Sequence, residues 1–213
     1  MAKMQLGALV SASQAWLQRS QMTLSSVHEK KWTAAALGGC LAELSGSSAA
    51  PVLTVAFRLV HQVQQQGEPV AWISSNENTF FPPDVADGGV DLSALPVIRL
   101  ATLQQRLTAI EQLVCSGAFG LLVADLEECV DLPLAVQTRL AEQALAQSTL
   151  VLCLTVKTDQ QPSLGSLVTV RAQARRIRYG DGRFICQVHA LKDKRSGSDW
   201  VDEEWCCGPT GVR

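Results

Sequence analysis

No apolar run in this chain approaches the roughly 20 residues that a helix needs to cross a bilayer. Runs such as residues 119–124 and 150–154 fall far short. The start, Met1-Ala2-Lys3-Met4, has no continuous apolar stretch and no small-residue cleavage site, so a secretory signal is not expected. No membrane association is expected either. The seven cysteines, at 40, 115, 129, 153, 186, 206 and 207, form no C-x-x-C pair, and there are only three histidines (His28, His61, His189). A structural zinc site therefore has no sequence support. No Ser/His/Asp or Cys/His set has a supporting motif, so no catalytic residue, metal or cofactor is assigned. Cys115 and Cys153 lie in apolar surroundings and read as buried thiols. Free cysteines of this kind suit a reducing cytoplasm.

What is present is a chain of 213 residues, 47% apolar and 18% charged, enough for one domain with a sizeable core. Its charge is unevenly spread. Residues 1–170 carry nine Lys/Arg and fourteen Asp/Glu. Residues 171–195 carry eight cations, Arg171, Arg175, Arg176, Arg178, Arg183, Lys192, Lys194 and Arg195, against Asp181 and Asp193. Residues 196–213 return to a net −3. A basic block followed by an acidic tail suits contact with phosphates or with an acidic protein. It suits equally well a solvated strand face with the tail folded over it.

Periodicity sets the order of elements. Leu6, Leu9, Val10, Trp16 and Leu17 recur at helical spacing and predict an N-terminal helix, followed by a polar linker over 20–31. A short strand over 40–44 leads through a turn-rich stretch to a helix over 52–66, which Gly67 ends. Strands are predicted over 69–74, 96–100, 119–125 and 149–157, and helices over 102–116 and 132–147, with a loop over 76–91. Short connections between alternating strands and helices predict an α/β protein with a mostly parallel, helix-covered sheet. Residues 167–178 and 183–191 alternate by two around Tyr179-Gly180-Asp181-Gly182, which predicts a C-terminal antiparallel hairpin at the sheet edge. The domain reading is an N-terminal helix and linker over 1–33, a core over 34–195 and an acidic tail over 196–213.

A strand, a glycine-bearing loop, a helix and a later strand ending in Asp is also the order of a phosphate-binding loop. That chemistry needs G-x-x-x-x-G-K-[ST]: glycines so that backbone N–H groups wrap phosphates, a lysine for charge, and a hydroxyl for Mg²⁺. Here Gly46 holds the first position, but Pro51, Val52 and Leu53 hold the other three. Proline removes a donor, valine the cation and leucine the metal ligand. Asp125 stands where a magnesium-assisting acid would, although an Asp ending a buried strand more often caps a turn or the next helix.

These segments resemble RecA recombinase. Leu41-Ala42-Glu43-Leu44-Ser45-Gly46, Ala71-Trp72-Ile73, Gly89-Val90-Asp91-Leu92-Ser93-Ala94-Leu95 and Ser116-Gly117-Ala118-Phe119-Gly120-Leu121-Leu122-Val123-Ala124-Asp125 follow its core order. The likeness runs over about residues 38–195 and implies a RecA-like three-layer core. The water-activating glutamate of RecA would fall near Asn76-Glu77. RecA carries two mobile DNA-binding loops; the corresponding intervals here are 126–132, which is short and acidic, and 158–166, which has no basic residue. A RecA-like chain with neither nucleotide chemistry nor DNA loops is similar to the ImuA family and, more remotely, to the SulA division inhibitors. Residues 36–44 resemble the ImuA segment before the degenerate loop.

The ImuA resemblance implies a non-catalytic accessory protein in DNA-damage-induced (SOS) mutagenesis and translesion synthesis. Its partners would be RecA, an inactive Y-family polymerase homologue and an error-prone replicative polymerase. Two alternatives stand beside it, a SulA-like cell-division inhibitor and a divergent DNA-dependent ATPase. The RecA resemblance also implies that the Leu6/Leu9/Val10/Trp16/Leu17 face docks on another copy or on RecA; packing on its own core is the competing reading. Any DNA contact is expected to be weak and sequence-independent and to come from Arg176, Arg178 and Arg183 around the turn with Lys192, Lys194 and Arg195 at the hairpin's end; the alternative is that this same face meets an acidic protein partner and is shielded by the acidic tail in the free state. Trp200 and Trp205 are expected to fold back on the domain rather than anchor a partner.

Overall fold

The computed structural model describes residues 31–47, 51–76, 80, 82–126, 131–178 and 183–207. The chain divides into two units, residues 1–30 and 31–213, and everything described belongs to the second. The predicted N-terminal helix with Leu6, Leu9, Val10, Trp16 and Leu17, and the positions of Glu77 and the 179–182 turn, lie outside the described residues. Among the described residues no helix is long and apolar enough to cross a membrane.

The elements run α1 (Ala34–Leu37), β1 (Leu41–Gly46), α2 (Val52–Gln65), β2 (Val70–Ser74), α3 (Pro82–Asp87), β3 (Val97–Arg99), α4 (Leu103–Cys115), β4 (Leu121–Asp125), α5 (Leu134–Gln147), β5 (Leu150–Val156), β6 (Val170–Arg178), β7 (Arg183–Asp193) and β8 (Val201–Cys207). They build one eight-stranded sheet in the order β3-β2-β4-β5-β1-β6-β7-β8. The first six strands are parallel and the last two antiparallel. Strands β2 and β5 read as nearly unbroken apolar runs because helices or loops cover both faces, and β1, buried throughout, carries Glu43 and Ser45 among its apolar residues.

Two cores lie on opposite sides of the sheet. On one, Val55, Leu59, Val60 and Val63 of α2 meet Leu44, Trp72, Val123 and Leu152. Phe57 stacks on Trp72 with ring centroids 4.6 Å apart. On the other, Leu107, Ile110 and Val114 of α4 and Leu140 and Ala144 of α5 meet Leu41, Ile73, Leu122 and Val151. The apolar spacing of α2 and α4 places one stripe of each helix on the sheet. Thr102 and Gln105 close the start of α4 with a capping box, and Gly67, with φ of +78°, takes the left-handed turn after α2. The predicted α/β class, mostly parallel sheet and C-terminal antiparallel pairing are all present.

Four details depart from the sequence reading. The stretch over 76–91 contains α3. Cys115 is exposed, because it lies one residue, and so about 100°, past the buried stripe that ends at Val114. The folded core begins before residue 34, since Trp32 is buried in the first core and donates its backbone N–H to Asp202. Residues 201–207 are no tail: they form β8, paired with β7 along its length. Their acidic residues read as tail because an edge strand shows alternate side chains to water.

Candidate functional site

The phosphate-loop positions sit where β1 hands over to α2, but they carry apolar groups. Gly46 ends β1 and is buried. Pro51 precedes α2 without any side-chain cap, and its carbonyl accepts the first helical N–H, from Val55, at 3.0 Å. Val52 packs on the first core. Leu53 is 41% exposed. With Thr54, Phe57, Arg58, Phe80, Asp84, Val85, Gly88 and Cys206 it lines a cleft of about 430 Å³. The cation of this cleft, Arg58, is engaged by Glu204 at 2.9 Å and by the Cys206 sulfur at 2.6 Å. Asp125 ends β4, half-buried, and its main-chain carbonyl accepts from the buried Arg106 guanidinium at 3.2 Å.

The densest polar chemistry lies elsewhere, on the second face of the sheet where β1, β5 and β6 run side by side. Glu43 and Lys157 are both 0% exposed, and their charged atoms are 3.1 Å apart. The second Glu43 oxygen accepts from the Ser163 hydroxyl at 2.8 Å and from the Leu164 N–H at 2.9 Å. Thr155 donates to the first at 3.1 Å. Lys157 also donates to the Pro162 carbonyl at 3.1 Å. Arg171, opposite Glu43 in the ladder, donates to the carbonyls of Gln161 and Thr158. Gln173 holds the Lys157 carbonyl and accepts from Ser45.

This network fastens residues 157–168 to the sheet, and α5 completes the fastening. The buried Gln137 amide donates to the Leu132 carbonyl at 2.6 Å and accepts from the Leu167 N–H at 3.0 Å. Gly165 passes so close that a Cβ there would lie 2.0 Å from the Gln137 amide nitrogen. The nearby Cys153 thiol is pushed up to about 12, first by burial and then by the Glu43 charge. A buried charge is costly unless paired, so the loop's inward-turned carbonyls and the Glu43 carboxylate together set the cost of moving the loop.

The sequence reading did not pair Glu43 with Lys157 or Arg171. A signal was there: single charges inside L-A-E-L-S-G, T-L-V-L-C-L-T-V-K and L-V-T-V-R-A, where a buried strand has no room for an unpartnered ion.

The predicted phosphate-facing set is divided. Arg176 and Arg178 share the face of Ala172 and Ala174, and Arg176 lies 3.9 Å above the Phe184 ring. The Arg183 side chain lies outside the described residues. Lys192 pairs with Arg171 on the opposite face, and Lys192 and Lys194 both donate to the Ser166 carbonyl, at 3.1 and 2.6 Å. Burial and then repulsion from Lys194 hold the Lys192 ammonium below its ordinary range. Arg195 donates to the Ala36 carbonyl at 2.7 Å and to the Cys40 sulfur at 2.6 Å. The division arises from a register shift between Arg171 and Ala172, which breaks simple alternation. Arg175, outside that set, pairs with Asp159 at 3.1 Å.

Trp200 does fold back. Its indole N–H donates to Asp193 at 2.9 Å, and its ring lies 6.4 Å from that of Trp32. Trp205 is 57% exposed.

No known family profile matches the chain. Two curated relatives do. It is 33% identical to the RecA protein of Chlorobium limicola over 122 residues, covering 52% of this chain and 35% of that one. It is 30% identical to the RecA protein of Chlorobium chlorochromatii over 122 residues, covering 52% and 34%. The chain thus spans about a third of the length of these relatives. Sheet order, helix layers and this distant likeness agree: the chain has a RecA-like α/β fold.

Proposed function

We propose that this chain is a non-catalytic RecA-like accessory protein in DNA-damage-induced mutagenesis and translesion synthesis, of the ImuA kind, which works by binding RecA or an error-prone polymerase complex. One observation carries the reading. The interval that resembles the second DNA-binding loop of RecA is fixed on the sheet by Glu43, Lys157 and Arg171, with its carbonyls turned inward. None of residues 158–166 is basic. A loop held in this way has neither the mobility nor the charge to follow a phosphate backbone.

The degenerate loop supports the same reading. Phosphoryl transfer depends on positioning and on electrostatic stabilisation by the loop lysine and metal. Val52 and Leu53 supply neither. What remains is a rigid RecA-like body suited to protein contacts.

The test is retention of purified RecA, of the polymerase homologue, of the error-prone replicative polymerase and of the division GTPase on the immobilised full chain. ATP turnover is assayed alongside. Retention of RecA or a polymerase component with no turnover is the expected result. Retention of the division GTPase alone replaces the reading with a SulA-like one. Turnover that disappears in Asp125→Ala replaces it with an ATPase.

A further inference from the structure

Two free thiols meet where the last two strands overlap. Cys186 on β7 opposes Glu204, and Cys206 on β8 opposes Phe184, so the cysteines are diagonal neighbours in the ladder. Their sulfurs are 2.8 Å apart, well inside ordinary non-bonded contact. Both side chains are buried, but not equally. Cys206 lines the 430 Å³ cleft beside α2, whereas Cys186 is only 1% exposed.

A cation completes the group. Arg58 donates one amino group to the Cys206 sulfur at 2.6 Å, while the other pairs with Glu204 at 2.9 Å. Glu204 thereby fixes the guanidinium against the sulfur. The guanidinium places a fixed positive charge against the Cys206 sulfur, beside the cleft. Cys186 is the reverse case: burial, then its hydrogen bond with Cys206, pushes its thiol up to about 12. One sulfur lines a cleft and the other lies buried behind it. The cleft's remaining walls include Leu53, Phe57, Phe80 and Val85, which admit a small neutral molecule more readily than an ion.

We propose that Cys206 and Cys186 form a hydroperoxide-reactive dithiol that closes to a β7–β8 disulfide. The Cys206 thiolate attacks the terminal oxygen of the hydroperoxide. The O–O bond breaks, and the departing alkoxide or hydroxide takes up the proton that Cys206 had released. Cys206 is oxidised by two electrons to a sulfenic acid as the peroxide is reduced. The Cys186 sulfur then attacks the Cys206 sulfur, the S–O bond breaks, and hydroxide leaves as water with the Cys186 proton. Two thiols and one hydroperoxide give one disulfide, one water and one alcohol, or a second water when hydrogen peroxide is the oxidant. The bond staples the outermost strand β8 to its neighbour.

The test uses the reduced full chain and hydrogen peroxide near equimolar, followed by alkylation, trypsin and mass spectrometry. The expected product joins the peptides over 184–192 and 196–213, and fragmentation places the link on Cys206. The link survives Cys207→Ser, and it is lost in Cys206→Ser with Cys186 left reduced. In Cys186→Ala, Cys206 is trapped by dimedone as a sulfenic acid. Arg58→Met slows its oxidation severalfold. Two results overturn the proposal: a link through Cys207, or a Cys186/Cys206 pair still reduced once the exposed Cys115 is fully oxidised. Peptide mapping of the unmutated chain decides between these results without relying on any variant's folding.

Discussion

The Glu43 carboxylate on β1 meets the ammonium of Lys157, the residue just past the end of β5, at 3.1 Å, with no part of either side chain exposed to water. Each is also a hydrogen-bonding partner of the loop that follows β5: Glu43 through Ser163 and Leu164, and Lys157 through Pro162. The pair therefore holds the loop as well as itself. Removing one partner leaves an uncompensated buried charge, whereas removing both relieves that pair and leaves Arg171, whose Nε lies 4.0 Å from Glu43, held by the Gln161 and Thr158 carbonyls. We expect Glu43→Leu or Lys157→Met alone to lower unfolding free energy by about 3–5 kcal/mol. The double variant should recover a substantial part of that loss. Urea denaturation of the three variants checks this, and additive losses would mean that the two charges are not coupled.

Gly165 is the second lock on the same loop. A methyl group there would collide with the Gln137 amide, whose nitrogen and oxygen both hold backbone partners. Moving the amide aside breaks two buried hydrogen bonds, at roughly 1–3 kcal/mol for each group left unsatisfied. Gly165→Ala is therefore destabilising, and its loss is not additive with that of Gln137→Ala, because the truncated side chain leaves room for the methyl. A double-mutant cycle by thermal or urea melting measures the coupling.

The division of the basic block changes what DNA binding would look like. Lys192, Lys194 and Arg195 donate to backbone carbonyls or to Cys40, so their replacement should lower stability before it lowers affinity. Arg176 and Arg178 are exposed, on the opposite face from Lys192. Two cations, or three with Arg183, give a salt slope of about −1.4 to −2.1 on single strands, against about −4 for six cations acting together. Fluorescence anisotropy with single-stranded DNA at several salt concentrations separates the two cases. A slope near the steeper value would restore the six-cation surface.

Asp193 makes stability depend on acid pH in a defined direction. Partial burial raises its carboxyl, but hydrogen bonds from the Arg195 N–H, Trp200 indole N–H and Ser196 N–H, with the Arg195 charge, outweigh burial and hold it below the ordinary carboxylate value. A carboxyl lowered on folding contributes stability that is present above its unfolded pKa of about 3.9 and lost as pH falls through the folded value. We expect Asp193→Asn to be less stable than the unmutated chain at neutral pH. The difference between them should shrink as pH falls below about 4. Denaturation followed by circular dichroism at several pH values reads this, and a gap that widens with acid would refute the assignment.

The sequence shows the interior of this fold more plainly than its margin. β4 and β5 are legible because a strand covered on both faces must be apolar throughout, and α2 and α4 because one stripe of each is buried. β8 is not legible, since Asp202, Glu203 and Glu204 read as a solvated tail until their partners are known. Those partners, the Trp32 N–H, Gln187 and Arg58, come from distant parts of the chain. The division of the cations is hidden for another reason: one irregular residue in a ladder moves every later side chain to the other face, and alternation alone does not reveal it. Glu43 is an intermediate case, visible as a charge in an apolar strand although its partners lie more than a hundred residues away.

The status of β8 yields the last prediction. A detachable tail that shields a basic face would, when removed, leave a stable domain with more of that face accessible. β8 is instead built into the sheet. Ala190 donates to the Trp200 carbonyl and accepts from the Asp199 N–H, Glu204 holds Arg58, and Cys206 joins Phe184 and Cys186 in the first core. Cutting after Ser196 would expose Phe184 and Cys186 and leave Arg58 without its carboxylate. Exposure of a single side chain the size of phenylalanine forfeits about 1.5–3 kcal/mol, so the truncation should cost at least about 1.5 kcal/mol. The expected result is a markedly lower urea midpoint for the shortened chain, with any change in DNA or partner binding tracking the unfolded fraction. A truncated chain that melts like the intact one and binds DNA more tightly would show that the strand acts as a removable shield.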